Sequence, residues 1–260
     1  MWRLLIVKTG EWEMELAQFF AQHTRVALAF SGGCDSAYLL YAARKHAAQV
    51  CAYYVKTAFQ PAFELEDAKR LAQQLQAPMK VLELDVLGDG RVAANPKDRC
   101  YHCKRAMFAR LKQEAERDGF RVLIDGTNAS DDAADRPGMV ALRELEVLSP
   151  LRLCGITKDR VRALSKEAGL FTWDKPAYAC LATRIPTGTP IQQQTLSQVE
   201  AAEEALRRLG FSDLRVRVGE QAAKLQLKAD QMAKAVELRE RILEELSPYF
   251  DQVLLDLKAR

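Results

Sequence analysis

The sequence of 260 residues has no apolar run that approaches the ~20 residues needed to span a bilayer. Its first residues, MWRLLIVKTGEWEMEL, reach acidic side chains after a short apolar stretch, so we predict no secretory signal. No Gly-Lys pair occurs, which excludes the GxxxxGK(S/T) loop of the common nucleoside triphosphatases. Internal repeats and low-complexity tracts are also missing. These absences favour a cytoplasmic globular enzyme without a membrane segment.

The net charge and the cysteines both limit the possible function classes. The net charge of +3 is too small to predict a nucleic-acid partner by itself. Six cysteines in a chain expected to be cytosolic do not predict a disulfide framework, so clustered ones should be metal ligands, catalytic or buried. Cys34, Cys51 and Cys154 lie on or beside apolar elements, and we expect them to be small buried hydrophobes. Cys100 and Cys103, in DRCYHCK, form a CxxC pair that needs another explanation.

Apolar runs alternate with helical patterns through the first two-thirds of the chain. This alternation predicts an α/β fold with a parallel sheet covered on both faces, and ligands bind such sheets beyond the carboxyl ends of the strands. The predicted strands are RVALAF (25–30), VCAYYVK (50–56), KVLELDV (80–86) and RVLID (121–125). The predicted helices lie at about 36–47, along FELEDAKRLAQQLQ, and at about 104–117, where the last one follows a loop that holds the cysteine pair.

The last third of the chain has a different pattern. The segment TKDRVRALSKEAG predicts a helix capped by Thr157 and ended by Gly169. A long irregular stretch, FTWDKPAYACLATRIPTGTP, follows, and long loops of this kind are often functional. After it we predict helices at about 195–209 and 229–246 and strands LRVRV, AKLQL and QVLLDLK. We therefore predict two domains: residues 1–170, and a smaller α+β domain of residues 171–260 for substrate binding or oligomerisation.

AFSGGCDSAYLL places two glycines between a strand and a helix. Gly32 and Gly33 let the backbone approach an anion closely, and the free amides at the helix start point at it. Ser31 and Ser36 add hydroxyl donors. Asp35 would repel a bare phosphate, so it is useful only if a divalent cation bridges the two. The alternative is an ordinary strand–helix turn. GDGRVA, from residue 88, also matches a nucleotide-loop pattern, but we predict no helix starting there and assign it no function.

SGGCDS in this context resembles the PP-loop ATP pyrophosphatases, which have an adenine nucleotide alpha hydrolase-like fold. They cleave ATP between the α and β phosphates and activate a carboxylate or carbonyl as its adenylate. DGTNASDDAADRPGMVAL, NPKDRCYHCK and WDKPAYACLATRIP then resemble the LarE group of sulfur transferases, in that family's order and spacing. The likeness runs from about Arg25 to the end of the chain.

The LarE resemblance implies a specific reaction. Family members adenylate a carboxylated pyridinium mononucleotide and install sulfur as a thiocarboxylate, building the nickel-pincer cofactor of lactate racemase. Some members sacrifice one cysteine, at the position matching Cys180; others hold a 4Fe-4S iron–sulfur cluster on three, which match Cys100, Cys103 and Cys180. The resemblance thus implies ATP, Mg²⁺ and the cluster as cofactors. It also implies a homo-oligomer and a transient partner in cofactor assembly or nickel insertion.

The residues expected at the site follow from these motifs. Lys104 is expected to stabilise charge on the α-phosphate, and Asp35 to hold Mg²⁺. Arg215 and Arg217 alternate on one strand and so share a face that suits the substrate's phosphate. Arg184, together with Arg99 and Lys104, is expected to balance cluster and phosphate charge. The predicted nucleotide- and substrate-binding residues are Phe30, Ser31, Gly32, Gly33, Asp35, Ser36, Gly126, Arg184, Arg215 and Arg217.

Two acidic groups have open interpretations. Asp131 and Asp132, with Arg136, could bind a metal or the substrate ribose, or form a solvated turn. Glu200 and Glu203 share a helix face, where one could hold a metal or both could be a surface pair.

Several alternatives stay open at this stage. The CxxC pair could bind zinc with Cys180 and His102, or act as a redox pair. The chain could be another PP-loop enzyme, a tRNA thiolase or an amidating synthetase, or a nucleotide sensor with structural zinc. It also departs from the LarE pattern: Lys224 and Gln226 stand where that group has Arg and Glu, which puts the identity of the sulfur acceptor in question.

Overall fold

A computed structural model describes residues 9–131, 137–219 and 222–260. It divides into two compact units, each discontinuous in sequence. The first comprises the described residues of Met1–Lys56, Ala62–Leu84 and Cys100–Lys175. The second comprises those of Thr57–Pro61, Asp85–Arg99 and Pro176–Arg260. Two short insertions from the first two-thirds of the chain therefore belong to the second unit.

The first unit is built on the predicted four-stranded parallel sheet. Its strand order is β3-β2-β1-β4, so Ala29 at the end of β1 pairs with Tyr53 of β2 on one side and Asp125 of β4 on the other. The chain moves outward from β1 through β2 to β3 and then returns across the sheet to β4. The strands are β1 (Arg25–Ala29), β2 (Gln49–Lys56), β3 (Met79–Glu83) and β4 (Val122–Asp125).

Helices cover both faces of this sheet, which confirms the predicted α/β class. Val26, Leu28 and Ile124 face a core shared with α1, α2, α3, α7 and α8, whereas Ala27 and Leu123 face a second core with α5 and α6. The helices of the unit are α1 (Thr9–Gln22), α2 (Cys34–His46), α3 (Ala62–Gln74), α5 (Arg99–Arg117), α6 (Pro137–Glu144), α7 (Pro150–Leu153) and α8 (Lys158–Glu167); α4 (Gly90–Ala93) belongs to the second unit.

The second unit has a three-stranded sheet of order β5-β6-β7, in which β5 and β6 are antiparallel and β6 and β7 parallel. Its insertions join the loop before α9 by backbone bonds: Leu181 N donates to Phe59 O at 2.9 Å and Gly188 N to Asn95 O at 2.8 Å. Its elements after residue 176 are a 3₁₀ turn (Leu181–Arg184), α9 (Gln193–Arg208), β5 (Arg215–Val218), β6 (Ala222–Gln226), a 3₁₀ turn (Ala229–Gln231), α10 (Met232–Glu237), α11 (Arg239–Leu246) and β7 (Gln252–Leu255).

The structure corrects three sequence-based expectations. Helix α5 begins at Arg99, so Cys100 and Cys103 lie on its first turns rather than in a loop before it. A helix does start within GDGRVA, where the Asp89 side chain accepts from Arg91 N, although α4 has only four residues. The helix expected at 229–246 is broken into a 3₁₀ turn, α10 and α11.

Among the helices of the described residues, none combines the length and the apolar character that crossing a bilayer requires.

Candidate active site

The glycine loop lies at the carboxyl end of β1, as predicted. Gly32 has φ +71°, a conformation that favours glycine. A β-carbon at Gly32 would also lie 3.0 Å from Cβ of Ala68 on α3, so the packing of α3 requires glycine there. Phe30 is buried and its N–H donates to Tyr53 O at 2.9 Å, which continues the sheet up to the loop.

Ser31 and Ser36 hold the loop in shape. Their hydroxyl oxygens are 3.0 Å apart, and Ser36 Oγ also accepts from Ser31 N at 3.3 Å. Gly33 N donates to Ser31 Oγ at 3.3 Å. The first-turn amides of α2 have no intrahelical acceptor, because a helix leaves its first N–H groups unpaired. The loop therefore presents backbone N–H groups and hydroxyls to an anion.

Gly126 brings β4 against this loop. A β-carbon at Gly126 would lie 2.8 Å from Ser36 N and 3.2 Å from the carbonyl carbon of Asp35, so only glycine fits. The loops after β1 and β4 diverge here, because β1 leads to β2 and β4 lies on the opposite side of β1. Ligands of open α/β sheets bind at such a switch point, beyond the carboxyl ends of the strands.

The buried carboxylate of Asp125 shapes the turn after β4. Ser149 Oγ donates to Asp125 Oδ1 at 2.6 Å, and Thr127 Oγ1 donates to Oδ2 at 2.5 Å. Burial raises the pKa of Asp125, and these two hydrogen bonds and the charge of Lys104 oppose that rise. Both carboxylate oxygens of Asp125 therefore accept hydrogen bonds that hold the turn containing Gly126 at the switch point.

Asp35 has partners on both of its carboxylate oxygens. Lys158 Nζ lies 2.5 Å from Asp35 Oδ2, and Asn128 Nδ2 donates to Oδ1 at 3.3 Å. Neither residue was predicted as a partner of Asp35, although Asn128 lies in the DGTNAS motif after β4. Asp131 accepts from Asn128 N at 3.0 Å and so supports the same turn, while Asp132 and Arg136 lie outside the described residues.

Helix α5 carries the CxxC pair and Lys104. Cys100 is exposed, whereas Cys103 is largely buried with its Sγ 3.7 Å from Met107 Sδ. The start of α6 passes close by: a β-carbon at Gly138 would lie 2.7 Å from Lys104 Cδ and 3.3 Å from Cys100 Sγ. Gly138 therefore leaves the space through which the Lys104 side chain runs.

In the second unit, the loop that carries Cys180 is fixed by a buried ion pair. Arg184 Nε lies 2.8 Å from Glu203 Oε1, and both side chains are fully buried. Arg184 Nη1 also donates to Ala179 O at 2.7 Å, and Tyr178 OH donates to Glu203 Oε2 at 2.6 Å. Glu203 is therefore not part of a surface pair. The guanidinium of Arg184 is committed to these partners, and its predicted role in cofactor binding stays a prediction.

Positive charge collects on β5 of the same unit. Burial lowers the pKa of Arg215, and the charges of Arg260, Arg184 and Arg217 lower it further. Arg217 Nε donates to Gln226 Oε1 at 2.6 Å and Arg217 Nη1 to Thr183 O at 3.0 Å. Arg260 is paired with Asp213 at 2.8 Å and Arg184 with Glu203, so Arg215 and Arg217 are the guanidinium groups of this strand that suit an anion.

Gln226 stands where the LarE pattern has a glutamate, and its amide is held by hydrogen bonds. Gln226 Nε2 donates to Asp256 Oδ2 at 2.8 Å, and Lys224 Nζ lies 3.4 Å from the same oxygen. Within residues 9–131, 137–219 and 222–260, no three His, Cys, Asp or Glu side chains are grouped so that they could hold a metal ion. Cys100 and Cys103 belong to the first unit and Cys180 to the second.

The glycine loop lies in a part of the chain that matches a known protein family. Residues 25–103 match the family model of the queuosine biosynthesis protein QueC. The chain is 33% identical over 236 residues to pyridinium-3,5-bisthiocarboxylic acid mononucleotide synthase of Lactiplantibacillus plantarum, covering 90% of this chain and 86% of that protein. It is 36% identical over 225 residues to an uncharacterized protein of Synechocystis sp., covering 85% and 83%. A probable tRNA sulfurtransferase of Methanothermobacter thermautotrophicus is 26% identical, over 73% of this chain and 50% of its own length.

Proposed function

Because the chain belongs to the LarE family of ATP-dependent sulfur transferases, we propose that its acceptor is a carboxylated pyridinium mononucleotide and its product a thiocarboxylate for a nickel-pincer cofactor. The observation that carries the proposal is the similarity of nearly the whole chain to a synthase of such a mononucleotide. The glycine loop at the β1/β4 switch point supports the ATP-dependent part of the reaction.

The proposed chemistry has two steps. First, an oxygen of the acceptor carboxylate attacks the α-phosphorus of ATP; the bond to the bridging oxygen breaks, and its electron pair leaves with pyrophosphate. Second, hydrosulfide attacks the acyl carbon, the bond to AMP breaks with its electron pair leaving on AMP, and loss of a proton gives the thiocarboxylate. The amides of the glycine loop would bind phosphate oxygens, and Lys104 would stabilise charge at the α-phosphorus.

Arg215 and Arg217 are proposed to bind the phosphate of the mononucleotide. The partial burial of Arg215 and its repulsion by neighbouring arginines support this, because an anion would relieve both. The side chain of Gln226 is neutral and holds Arg217 in place by a hydrogen bond, so it leaves the charge of Arg217 uncompensated. Asp35 has the hard oxygen donors that suit Mg²⁺, which would neutralise phosphate charge when bound.

For the sulfur source we propose a 4Fe-4S cluster on Cys100, Cys103 and Cys180, which would supply a bound hydrosulfide. The donor chemistry supports it, since a CxxC pair plus one distant cysteine gives three thiolates and leaves one iron free. The grouping of side chains gives no such support, because the described residues bring no three ligands together. The alternative is that Cys180 itself gives up its sulfur, as in other LarE members.

The acceptor is tested with purified protein, ATP, Mg²⁺, sulfide and the carboxylated pyridinium mononucleotide. We expect AMP and pyrophosphate in equal amounts and a product in which sulfur has replaced one carboxylate oxygen, measured by mass spectrometry. Pyrophosphate release that is unaffected by the mononucleotide would contradict the proposed acceptor. Arg217→Gln should raise the KM for the mononucleotide and leave the KM for ATP unchanged.

Anaerobic purification with iron and sulfide counting tests the sulfur source. Under the cluster proposal, Cys→Ala at position 100, 103 or 180 abolishes the absorption band near roughly 400 nm, whereas Cys154→Ala retains it. Intact mass should be unchanged after turnover. Sacrifice of Cys180 would instead be supported by a protein that contains no iron and loses the mass of one H₂S during a single turnover. Among the cysteine variants, only Cys180→Ala should then prevent that loss.

The similarity to a probable tRNA sulfurtransferase favours a second candidate, thiolation of tRNA. The net charge of +3 speaks against it, because RNA-binding surfaces are usually strongly basic. Sulfur incorporation into bulk tRNA, followed by digestion to nucleosides, separates the two candidates.

We also propose that the enzyme acts in the cytoplasm as a homo-oligomer and passes its product to a cofactor-assembly or nickel-insertion protein. Exposed apolar side chains on α10, α11 and β7 of the second unit support self-association, and these are Val236, Leu243 and Leu254. Light scattering after size-exclusion chromatography measures the oligomeric state, and Leu243→Glu should reduce it.

A further inference from the structure

Residues 173–175, here called the anchor segment, are the last residues of the first unit before the chain enters the second. Their backbone is bound by elements that surround the glycine loop. The thiol of Cys34, the first residue of α2, donates to Trp173 O at 3.8 Å. Arg162 on α8 donates to Trp173 O at 3.3 Å and to Lys175 O at 3.2 Å. The anchor segment is therefore held to the first unit at both of its ends.

The side chain of Lys175 adds a contact with α3. Its Nζ lies 2.7 Å from Asp67 Oδ2 and 3.9 Å from Glu64 Oε1, and 5.6 Å from the ring centroid of Phe63. The Lys175 side chain is only 15% exposed, so its ion pair is screened less by water and salt than a surface pair is. The ammonium thus connects the anchor segment to the first two turns of α3.

The same part of α3 packs on the glycine loop. Ala68, the neighbour of Asp67, is the residue whose Cβ would lie 3.0 Å from a β-carbon at Gly32. Ala68 is fully buried, so this contact excludes water. One turn of α3 therefore contacts the glycine loop through Ala68 and the anchor segment through Asp67.

The anchor segment lies shortly before the loop that carries Cys180. Cys180 follows Lys175 by five residues, and a chain of that length reaches at most about 18 Å when fully extended. Pro176 has a fixed φ and disfavours a helical backbone at Lys175, which makes the connection stiff. Tyr178, two residues further on, is bound to Glu203 in the second unit. A displacement of Lys175 is therefore passed on to the loop that carries Cys180, because the connection is too short to absorb it.

We propose that Lys175 is a positioning residue for the sulfur-transfer step, acting through its ion pair with Asp67. This inference rests on the proposed two-step reaction and adds a residue to its second step. The pair connects the loop that carries Cys180 to the helix that packs on the glycine loop, so the sulfur is positioned for the acceptor once it is adenylated. Lys175 itself touches neither ATP nor the acceptor. Its role is the same whether Cys180 holds a cluster or gives up its own sulfur.

Loss of the ion pair should therefore separate the two steps of the reaction. Adenylation uses the glycine loop, which stays intact, so pyrophosphate release continues. Sulfur reaches the acyl carbon less often, and water attacks that carbon instead. The bond to AMP then breaks with its electron pair leaving on AMP, the carboxylate forms again, and the two protons of the water pass to solvent. ATP is consumed without formation of the thiocarboxylate.

The ratio of thiocarboxylate formed to pyrophosphate released measures this separation. It is determined with the purified full chain in excess over the pyridinium mononucleotide, in the presence of ATP, Mg²⁺ and sulfide. In Lys175→Met we expect the ratio to fall by about 10- to 100-fold, the loss that a small misplacement of reacting groups causes, while the rate of pyrophosphate release changes by less than about threefold. Lys175→Arg keeps the charge and should restore part of the ratio.

Alkylation of the metal-free protein with iodoacetamide gives a readout that does not depend on the acceptor. In Lys175→Met the rate at Cys180 relative to Cys100 should rise by about two- to fivefold, the range expected when a partly exposed ion pair is lost. Asp67→Asn removes the same pair from the side of α3 and should act in the same direction. Additive effects in the double variant would overturn the proposal, because the two side chains would then act independently.

Lys69→Met is the matched control, because Lys69 also lies on α3 and is paired with Glu66, where both side chains are exposed. It should change neither readout. An equal fall in thiocarboxylate and pyrophosphate in Lys175→Met would overturn the proposal in favour of a structural role, and values like those of Lys69→Met would overturn it outright. Unmodified protein that releases no pyrophosphate with the mononucleotide would instead contradict the proposed function, and the alkylation rates would still decide the role of Lys175.

Discussion

The side chain of Lys104 crosses the backbone of Gly138 so closely that a β-carbon there would lie 2.7 Å from Lys104 Cδ and 3.1 Å from Cε. The neighbours of this missing β-carbon are the flexible end of one side chain and the thiol of Cys100. They can shift at little cost in stability, but a shift would move a predicted catalytic ammonium.

Gly138→Ala is therefore expected to change activity more than stability. The free energy of unfolding should fall by less than ~1 kcal/mol, because the displaced atoms belong to a long side chain. Pyrophosphate release should fall by about 10- to 100-fold, since Lys104 could no longer reach the α-phosphate at its present position. Gly90→Ala, where a β-carbon would meet nothing within 4 Å, is the control. Full activity in Gly138→Ala would argue against a catalytic role for Lys104.

Gly126→Ala, in contrast, should reduce both stability and ATP binding. Its β-carbon would meet backbone atoms, at 2.8 Å from Ser36 N and 3.0 Å from Ser36 Cα, and these cannot move without moving the glycine loop. We expect a loss of ~1–3 kcal/mol of unfolding free energy, measured by urea denaturation, together with loss of ATP binding. A variant that is as stable as Gly90→Ala and binds ATP normally would show that the loop is held less tightly than this packing implies.

Strands β1, β2 and β4 were predictable because they are continuous apolar runs, which is typical of parallel strands buried on both faces. The start of α5 could not be predicted. The chain turns at Asn95, which has φ +54°, immediately before Pro96. Asparagine and proline in a polar stretch are equally typical of a loop. Cys100 and Cys103 lie in the helix that follows this turn. The contribution of residues 57–61 and 85–99 to the second unit was also hidden, since backbone bonds such as Ile191 N to Ala93 O leave no trace in the sequence.

The glycine loop and Gly126 could be read from their motifs, but their partners could not. Lys158 approaches Asp35 across 123 residues, and nothing beside Lys158 in sequence marks it as more than a first-turn lysine. The position of Glu203, three residues from Glu200 on a helix, indicates a surface pair or a metal ligand rather than a buried side chain. Its burial depends on Arg184 and Tyr178, which lie in the irregular loop whose path no local pattern predicts.

The cysteines should differ widely in reactivity. Burial raises the pKa of Cys34 and Cys51, and burial together with the charge of Glu15 raises that of Cys154 to about 11. At pH 8 a thiol of that pKa is ionised to roughly one part in a thousand, and only the thiolate reacts with iodoacetamide.

Exposed Cys100 should therefore be alkylated first in the native, metal-free protein, as measured by peptide mass spectrometry. Labelling of Cys154 should rise about tenfold for each pH unit between pH 7 and 10, because its thiolate fraction does so below the pKa. Rapid labelling of Cys154 at neutral pH would contradict the raised pKa of this half-buried thiol. Labelling in 6 M urea, where all six thiols are exposed, gives the reference rates.

The ion pair of Arg184 with Glu203 gives the strongest stability prediction. Glu203→Gln removes a fully buried charge and leaves Arg184 buried with its own charge uncompensated, which typically costs ~3–5 kcal/mol. Glu204→Gln is the matched control, because Glu204 is the next residue on α9 and is 46% exposed. It should cost no more than ~0.5 kcal/mol.

The same variant should loosen the loop that carries Cys180, because Arg184 donates to Ala179 O and Cys180 O only while Glu203 holds its guanidinium in place. We expect Cys180 to be alkylated faster relative to Cys100 in Glu203→Gln than in Glu204→Gln. The double variant Arg184→Leu/Glu203→Leu removes both charges and should regain part of the stability, yet it removes the donor to Ala179 O and should keep the fast alkylation. Slow alkylation in both Glu203 variants would show that the ion pair stabilises the second unit without positioning Cys180.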